Sequence, residues 1–431
     1  EATGIPSLKI SLQLSVGAGA GLLWLSPRVY RALAGEKKHG RLFSFTAASI
    51  SATVGCLALT APVSAYYFGS FAVVSFLSNL LCLWAMGIVF TGALAAVLLS
   101  FLWLPLGTVI GLVPRLFIRY ILAVCHGLAA LPYHGVYFCS PYLKWWMGFV
   151  YLLFAAAWLL KTGERRKYAL AAALSILTLA VTVRAGEARF CHRLDAAAVD
   201  VGQGQSVILK SGTEFSLVDC GSGSSWRDAG CDAADQLLTM GCRSLDRVIL
   251  THFDDDHING VEHLLARMDV KTLTVPETDG PARDAVLDLA AVYGVAVETV
   301  TEETALPFGD AELTIFPPLG TGGSNELGLT VLATAGENDF LVTGDMERAT
   351  EKKLIETYNL PDIEVLMAGH HGSKGSTSEE LLEAVTPETV IISVGSNSYG
   401  HPAEDTLRRL ARAGCAVYRT DHHGTVYLSF K

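Results

Sequence analysis

From Leu8 to Val183 the chain alternates long apolar stretches with short basic or turn-rich breaks, and the rest of the sequence does not. The stretches run Leu8 to Leu25, Leu42 to Val63, Phe71 to Val113, Leu116 to Leu131, Tyr142 to Leu160 and Tyr168 to Val183. Crossing roughly 30 Å of hydrocarbon takes about 20 apolar residues, so these lengths predict a multi-pass α-helical membrane region. A soluble core could not absorb so many, and a mean hydropathy of +0.38 with 17% charged residues excludes an ordinary soluble protein.

Charge divides the chain at the same place. Residues 1–193 hold 16 Lys and Arg against 4 Asp and Glu, a formal charge of +12, whereas residues 194–431 carry −22. Two physically different domains are therefore expected, over 1–186 and 194–431. Lys and Arg beside short loops stay on the cytoplasmic side. The basic clusters Arg28 to Arg41, Arg115 with Arg119, and Lys161 to Lys167 are taken as cytoplasmic loops. On that reading part of Phe71 to Val113 is re-entrant or interfacial, and Tyr168 to Val183 leads outward, leaving the acidic half outside the cell. A start at Glu1 without a signal-peptide pattern is expected of a piece of a longer protein. The nine cysteines form no C-x-x-C pair and suit free thiols better than a structural zinc site, with Cys220 to Cys231 the alternative disulfide.

The acidic half has a different periodicity. Short β-rich runs are read at Ala196 to Val201, Ser206 to Leu209, Phe215 to Val218, Arg247 to Leu250, Lys271 to Val275, Leu313 to Ile315, Leu329 to Ala333, Phe340 to Val342, Ile363 to Leu366 and Val390 to Ser393. Helical patterns lie among them at Ala233 to Met240, Gly260 to Met268, Ala282 to Tyr293, Glu347 to Tyr358, Ser378 to Val385 and Ala403 to Ala413. This alternation predicts a layered α/β domain.

Its densest chemistry is Val248-Ile-Leu-Thr-His252-Phe-Asp254-Asp-Asp256-His257, where a buried strand enters a turn with two histidines and three carboxylates. An acidic loop is usually only solvated, but this density on one strand-to-helix turn points to one or two bound cations. Asp345 follows an apolar strand at Gly344, and His370 and His371 follow another; Asp219 ends a third in Asp-Cys-Gly. Alone, Asp345 reads as a helix N-cap and Asp219 as a turn residue. Together they set His252, Asp254, Asp256, His257, Asp345 and one of the histidine pair at strand C-termini, where layered α/β folds place their sites. A cation there lowers the pKa of water toward neutrality, so the expected class is metal-assisted hydrolysis.

The His-x-Asp-x-Asp-His turn resembles the His-x-His-x-Asp-His motif of the metallo-β-lactamase superfamily, with Asp254 in place of the second histidine. Asp200-Val-Gly-Gln-Gly204, His370-His-Gly-Ser373 and Tyr399-Gly-His401-Pro402 resemble motifs of the C-terminal domain of the ComEC family of DNA-uptake channels. Ala65-Tyr-Tyr-Phe-Gly-Ser-Phe71 and Ser78-Asn79-Leu80-Leu81 resemble that family's membrane domain. The resemblance covers nearly the whole chain and lacks the family's N-terminal portion with its OB-type domain. It implies a four-layer αββα fold for the second domain, and an inner-membrane channel conducting single-stranded DNA, with a metal-dependent nuclease on the extracytoplasmic side that degrades the strand not imported.

By the same resemblance His252, Asp254, Asp256, His257 and His370 would be metal ligands and Asp345 a bridge between two cations. Asp256 and His371 would form the catalytic pair, His371 as proton donor, although which of His370 and His371 ligates stays open. Asp219, Asp200, Gln203, Ser373, Asn325 and His401 would support the site or touch substrate. Residues 264–344 contain no His, so a ligand common in the superfamily is missing. The oxygen-rich set favours two Mn2+ over Zn2+, with Mg2+ an alternative. Where the family has Asp, this chain has Gln205. The chain has no P-loop-type phosphate loop, so a separate cytoplasmic motor is implied beside a DNA receptor. Against DNA as substrate stands the charge of −22, offset only by bound cations and by Lys374, Arg408, Arg409, Arg412 and Arg419. Competing readings are a membrane-anchored hydrolase of a small ester, lactone or phosphodiester, and a non-catalytic gating or docking domain.

Overall fold

A computed structural model of the chain describes residues 6–35, 39–129, 131, 135–137, 141–160, 166–189 and 193–430. Cys139, Cys191, residues 36–38 of the first basic cluster and 161–165 of the third lie outside the described residues. The chain divides into two compact units, Glu1–Gly186 and Glu187–Lys431.

The first unit contains α1 (Pro6–Ala20), a π-helical turn (Gly21–Leu25), α2 (Ser26–Ala34), α3 (Arg41–Phe68), β1 (Ser70–Ala72), α4 (Ser75–Ser100), α5 (Leu104–Ala129), β2 (Gly135–Tyr137), α6 (Pro141–Leu159) and α7 (Arg166–Arg189). Among the described residues, six helical segments are long and apolar enough to span a membrane: Ile10–Ala34, Arg41–Phe68, Ser75–Ser100, Leu104–Ala129, Tyr142–Leu159 and Arg166–Ala185. Helices satisfy their own backbone polar groups, which hydrocarbon demands. The π-helical turn approaches α3 backbone to backbone, and a Cβ on Gly21 would lie 1.9 Å from Gly55 O, so that crossing requires glycine. Asn79 Nδ2 donates to Thr53 Oγ1 at 3.2 Å, joining α4 to α3.

Two expectations about the membrane unit fail. The stretch Phe71 to Val113 is not one crossing plus a re-entrant segment; it breaks at Phe101–Trp103 between α4 and α5. Arg115 and Arg119 are not in a loop but inside α5, because the apolar residues on both sides of them continue one helix. Strand β1 pairs antiparallel with β2, Ser70 opposite Tyr137, which puts the segments following α3 and α5 on one side of the helices.

The second unit contains β3 (Leu194–Ala198), β4 (Val207–Ser211), β5 (Glu214–Val218), α8 (Ala229–Thr239), β6 (Ser244–Ile249), α9 (Asp255–Ile258), α10 (Val261–Leu265), β7 (Asp269–Pro276), α11 (Pro281–Tyr293) and β8 (Ala296–Val300). There follow β9 (Thr304–Phe308), β10 (Ala311–Phe316), β11 (Thr330–Ala335), β12 (Asn338–Val342), α12 (Arg348–Thr357), β13 (Val365–Met367), α13 (Glu379–Val385), β14 (Thr389–Ile392), α14 (Glu404–Ala413), β15 (Ala416–Arg419), α15 (Thr420–His423) and β16 (Val426–Phe430). One sheet runs β16-β3-β4-β5-β6-β7-β8 and the other β15-β14-β13-β12-β11-β10-β9. Between them lies a core including Val207, Leu209, Ile249, Leu313, Val331 and Phe340. A second core packs α8 and α10 on the outer face of the first sheet through Leu237 and Leu264, and a third packs α12, α13 and α14 on the second through Leu354, Leu382 and Leu410. These are the four layers of the metallo-β-lactamase fold.

Strands β5 to β8 are mutually parallel, as are β12 to β15. Asp219 follows β5, the His252 to His257 turn follows β6, Asp345 follows β12 and the histidine pair follows β13, so the fold gathers the candidate residues at one end of both sheets. The loops there touch backbone to backbone, since Cys220 N donates to His257 O and Gly260 N to Cys220 O, both at 2.8 Å. A Cβ on Gly221 would lie 2.3 Å from Asp256 C and from His257 N. Gly221→Ala is therefore expected to destabilise the chain by about 3 kcal/mol or more, read as earlier thermal unfolding in detergent. An unchanged melting curve would show that the loops separate freely.

Candidate metal centre

The residues of the metal turn converge on a buried carboxylate, that of Asp345. His257 Nε2 lies 3.2 Å from its Oδ1, and His252 Nε2, His371 Nε2 and His370 Nε2 lie 3.9, 3.8 and 3.6 Å from its Oδ2. Asp256 Oδ2 faces His371 Nε2 at 3.4 Å, and Asp254 Oδ2 is 3.8 Å from His252 Nε2. Among the described residues, two overlapping groups are close enough to share an ion, His252 with His257 and Asp345, or Asp256 with His257 and His371.

Each of three rings is held at its far nitrogen. His257 Nδ1 is 2.8 Å from Asp219 Oδ2, His371 Nδ1 is 2.9 Å from Ser393 O, and His252 Nδ1 is 3.0 Å from Thr251 Oγ1. A carbonyl and a carboxylate only accept, so His371 and His257 carry a proton on Nδ1. Thr251 Oγ1 gives its own proton to Asp219 Oδ2 at 2.8 Å and so accepts from His252. All three Nε2 atoms then face inward, and they and Asp345 Oδ1 are buried without a hydrogen-bond partner. Such orphans cost roughly 1–3 kcal/mol each, and four of them facing one point mark a place for a ligand. The donor set fits divalent cations: imidazole Nε2 atoms fixed in orientation from behind, with carboxylates between them.

Burial opposes ionisation of Asp345, yet His257 and His371 hold its carboxyl well below the usual range. Burial and the neighbouring His257 push His252 down to about 4. For His257 burial is outweighed by Asp345 and Asp219, which raise it well above the ordinary imidazole value. His371 is also raised, because Asp345 and Asp256 overcome its burial. Protons are thus favoured on His257 and His371, beside the carboxylates, over His252, and a cation would compete with them.

Asp219 holds the turn from behind. Its carboxylate is fully buried and accepts from Thr251 N at 2.7 Å and from Thr251 Oγ1, His257 Nδ1 and Gln205 Nε2, each at 2.8 Å. Gln205 is therefore a functional neighbour, and its backbone N–H also donates to Asp256 O at 3.1 Å. The Gly-Gln-Gly turn packs beneath the metal turn, with Gly204 O accepting from Ser393 Oγ and Gln203 Oε1 accepting from Gly395 N. Asp200 is drawn elsewhere, into an ion pair with Arg227 at 2.8 Å.

The histidine pair occupies left-handed backbone, φ 50° at His370 and 53° at His371, a strained conformation common at functional sites. Two groups clamp the following loop. The buried Glu351 carboxylate accepts from Thr377 N and Ser378 N at 2.5 and 2.8 Å, and the Arg409 guanidinium donates to the carbonyls of Lys374, Ser376 and Thr377. Of the pair, it is His371 that joins the ion-binding group with Asp256 and His257. His370, expected as the ligand, is more exposed, its Nδ1 is buried without a partner, and its ring faces that of His401 at 5.5 Å.

Ser373 closes the local turn, donating its backbone N–H to His370 O. Asn325 sits in the 3-10 turn Ser324–Leu327, but its neighbour Ser324 reaches the site, donating to Asp254 Oδ1 at 2.5 Å. Of the cations expected to draw phosphate, Arg409 is spent on the loop, while Arg408, Lys374 and Arg419 face Glu404, Asp405 and Asp421. Cys220, Cys231, Cys242 and Cys415 are free thiols.

Because Asp219 fixes both His257 and, through Thr251, His252, Asp219→Asn is expected to weaken divalent-metal binding about 10- to 100-fold. Titration calorimetry of the metal-free chain checks this. Affinity equal to that of the unsubstituted chain would show that the rings orient themselves.

Two families match, "Competence protein" over residues 5–163 and "Metallo-beta-lactamase superfamily" over residues 199–396. ComE operon protein 3 of Bacillus subtilis is 34% identical over 252 residues, covering 54% of this chain and 32% of that protein. Recombination protein 2 of Haemophilus influenzae is 33% identical over 239 residues, covering 54% of this chain and 28% of that protein. The chain thus matches about a third of the length of these curated relatives. Among solved structures, the metallo-β-lactamase fold protein YhfI from Bacillus subtilis is 12% identical and covers 55% of this chain and all of that one, at a TM-score of 0.41. The superfamily implies divalent-metal binding, in keeping with the cluster of orphaned Nε2 atoms. A multi-pass domain matching the competence family, followed in the same chain by a metallo-β-lactamase domain, gives this protein the two-domain architecture of the ComEC family.

Proposed function

We propose that the membrane unit conducts single-stranded DNA across the inner membrane during natural transformation and that the second unit is a manganese-dependent deoxyribonuclease that degrades the strand not imported. The observation that carries this is the cluster of buried Nε2 atoms from His252, His257 and His371 around Asp345 and Asp256, in a chain whose other domain matches the competence family. Paired cations suit phosphodiesters because they neutralise both oxygens of an in-line displacement. His252, Asp254, Asp256, His257, His371 and Asp345 would hold them, Asp345 lying between the two groups. His371 takes the ligand role first expected of His370, because Ser393 fixes its tautomer. When bound, the cations supply Lewis-acid activation of water and charge neutralisation on the phosphodiester.

The chain's own residues do the rest. His370, facing Asp345 and His401, is placed to give a proton to the leaving oxygen, and Asp219, Thr251 and Ser393 keep the three ligand rings from turning. Three imidazoles among three carboxylates make a harder site than one with a further histidine, which favours manganese. A DNA receptor and a cytoplasmic motor are the partners this activity requires.

Orientation follows from the two remaining basic clusters. With Arg28 to Arg41 and Lys161 to Lys167 cytoplasmic, the six spans carry the hydrolase unit to the extracytoplasmic side, and the segments after α3 and α5, which β1 and β2 pair, share that side. Trp226, 80% exposed, is a site for a test. Trp226→Cys should be labelled by a membrane-impermeant maleimide in intact spheroplasts above the background of the parent chain; labelling only after lysis reverses the orientation.

The activity is tested on the full chain in detergent. Manganese should bind and DNA should be cut, with His257→Ala lowering both metal content and cleavage, the latter by at least about a thousandfold, as expected when a group at the reaction centre is lost. Bound metal without cleavage of DNA would point to a smaller ester or phosphodiester substrate, and no bound metal to a docking domain.

A further inference from the structure

Beside the metal turn a cavity of about 240 Å3 opens between the loop after β7 and the 3-10 turn Ser324–Leu327. His252 and Asp254 form its inner wall, Ser324 one side, and Asp279, Gly280 and Arg283 the other. At roughly 30 Å3 per water it holds about eight, enough for a phosphate with its sugar and too little for a duplex. Arg283 sets its chemistry. The guanidinium touches Asp284 Oδ1 through Nη1 at 3.3 Å, and Nε is buried without a hydrogen-bond partner.

Several other basic side chains of this unit are held by neighbours, Arg227 by Asp200, Arg247 by Glu298, Arg267 by Asp235 and Arg409 by loop carbonyls, and Arg283 itself meets Asp284 at 3.3 Å. Arg283 brings a guanidinium to the cavity that His252 and Asp254 also line, in a domain whose net charge repels anions. A guanidinium matches phosphate bidentately, and α11, which begins at Pro281 in this wall, adds the positive end of its dipole. Asp279 and the Asp284 contact limit the attraction to a group that reaches the fork directly. Asp254 is a prospective cation ligand, so its charge is offset when metal is present.

Resting on the nuclease reading above, we propose that Arg283 and this cavity hold the phosphate next to the scissile one on the DNA strand being cut. The site thereby selects polynucleotides over isolated phosphodiesters and fixes the strand's register across the metals.

The test compares two substrates on the full manganese-loaded chain in detergent: a ten-nucleotide single-stranded DNA and bis(4-nitrophenyl) phosphate, which has no neighbouring phosphate. Arg283→Ala should lower the ratio of kcat/KM on DNA to that on the small diester about tenfold, mainly through KM, and reduce the slope of log KM against log salt by about one. Arg283→Lys, which keeps the charge without the fork, should recover part of the loss. Equal losses on both substrates, or an unchanged salt slope, overturn the proposal while leaving a nuclease. A parent chain that cuts no DNA overturns the nuclease reading and this one with it. Metal content and melting of each variant are measured alongside, and a misfolded Arg283→Ala leaves Arg283→Lys to decide by the same ratio and slope.

Discussion

The four hydrogen bonds accepted by Asp219 are the interaction on which the rest of the site depends. A fully buried carboxylate is costly unless each lone pair is used, and here the donors come from two other connections: Gln205 from the segment before β4, and Thr251 and His257 from the turn after β6. The residue itself has left-handed backbone, φ 59°. One charge thereby binds three loops at the end of the first sheet and sets the orientation of two imidazoles. Gln205 fits this arrangement better than the Asp of the family pattern. An amide donates to Asp219, whereas a second carboxylate at 2.8 Å would have to be protonated to sit there.

The second sheet does for His371 what the first does for His257. Ser393, after β14, gives its carbonyl to the ring and its hydroxyl to Gly204 O, so it links the histidine to the loop beneath the metal turn. Glu351 and Arg409 hold the loop after the histidine pair from two helices, α12 and α14. None of these positions resembles a catalytic residue by type. Each works through backbone groups distant in sequence, which no local pattern encodes. A glutamate in the apolar period of α12 was the one available signal, since a buried carboxylate needs donors.

What the sequence shows and hides divides along physical lines. The interior strands were legible because they are continuous apolar runs buried on both faces. In the second unit the strands it did not reveal, β8, β9, β15 and β16, are the four edges of the two sheets. An edge strand keeps one side in water, and β8 reads Ala-Val-Glu-Thr-Val with four of its five residues exposed. The metal turn was legible through its density of ligands. That His371 rather than His370 faces Asp256 was not, because it depends on a left-handed turn and on the carbonyl of Ser393, 22 residues away. Likewise Arg115 and Arg119 resembled a loop because charge interrupts hydropathy, while the backbone continues through them as one helix.

The balance of charge in the second unit explains why such a cluster persists. Asp345 and Asp256 lie among three inward Nε2 atoms whose hydrogen-bonding capacity is unmet, and protons alone satisfy them poorly: His257 rises while His252 falls. A set of groups that cannot all be content with protons is stabilised by any cation that binds the folded state and not the unfolded one. The same cations would turn a site in a domain of charge −22 into one with locally positive potential, so that metal binding, folding of the turn and affinity for an anionic substrate become one coupled equilibrium.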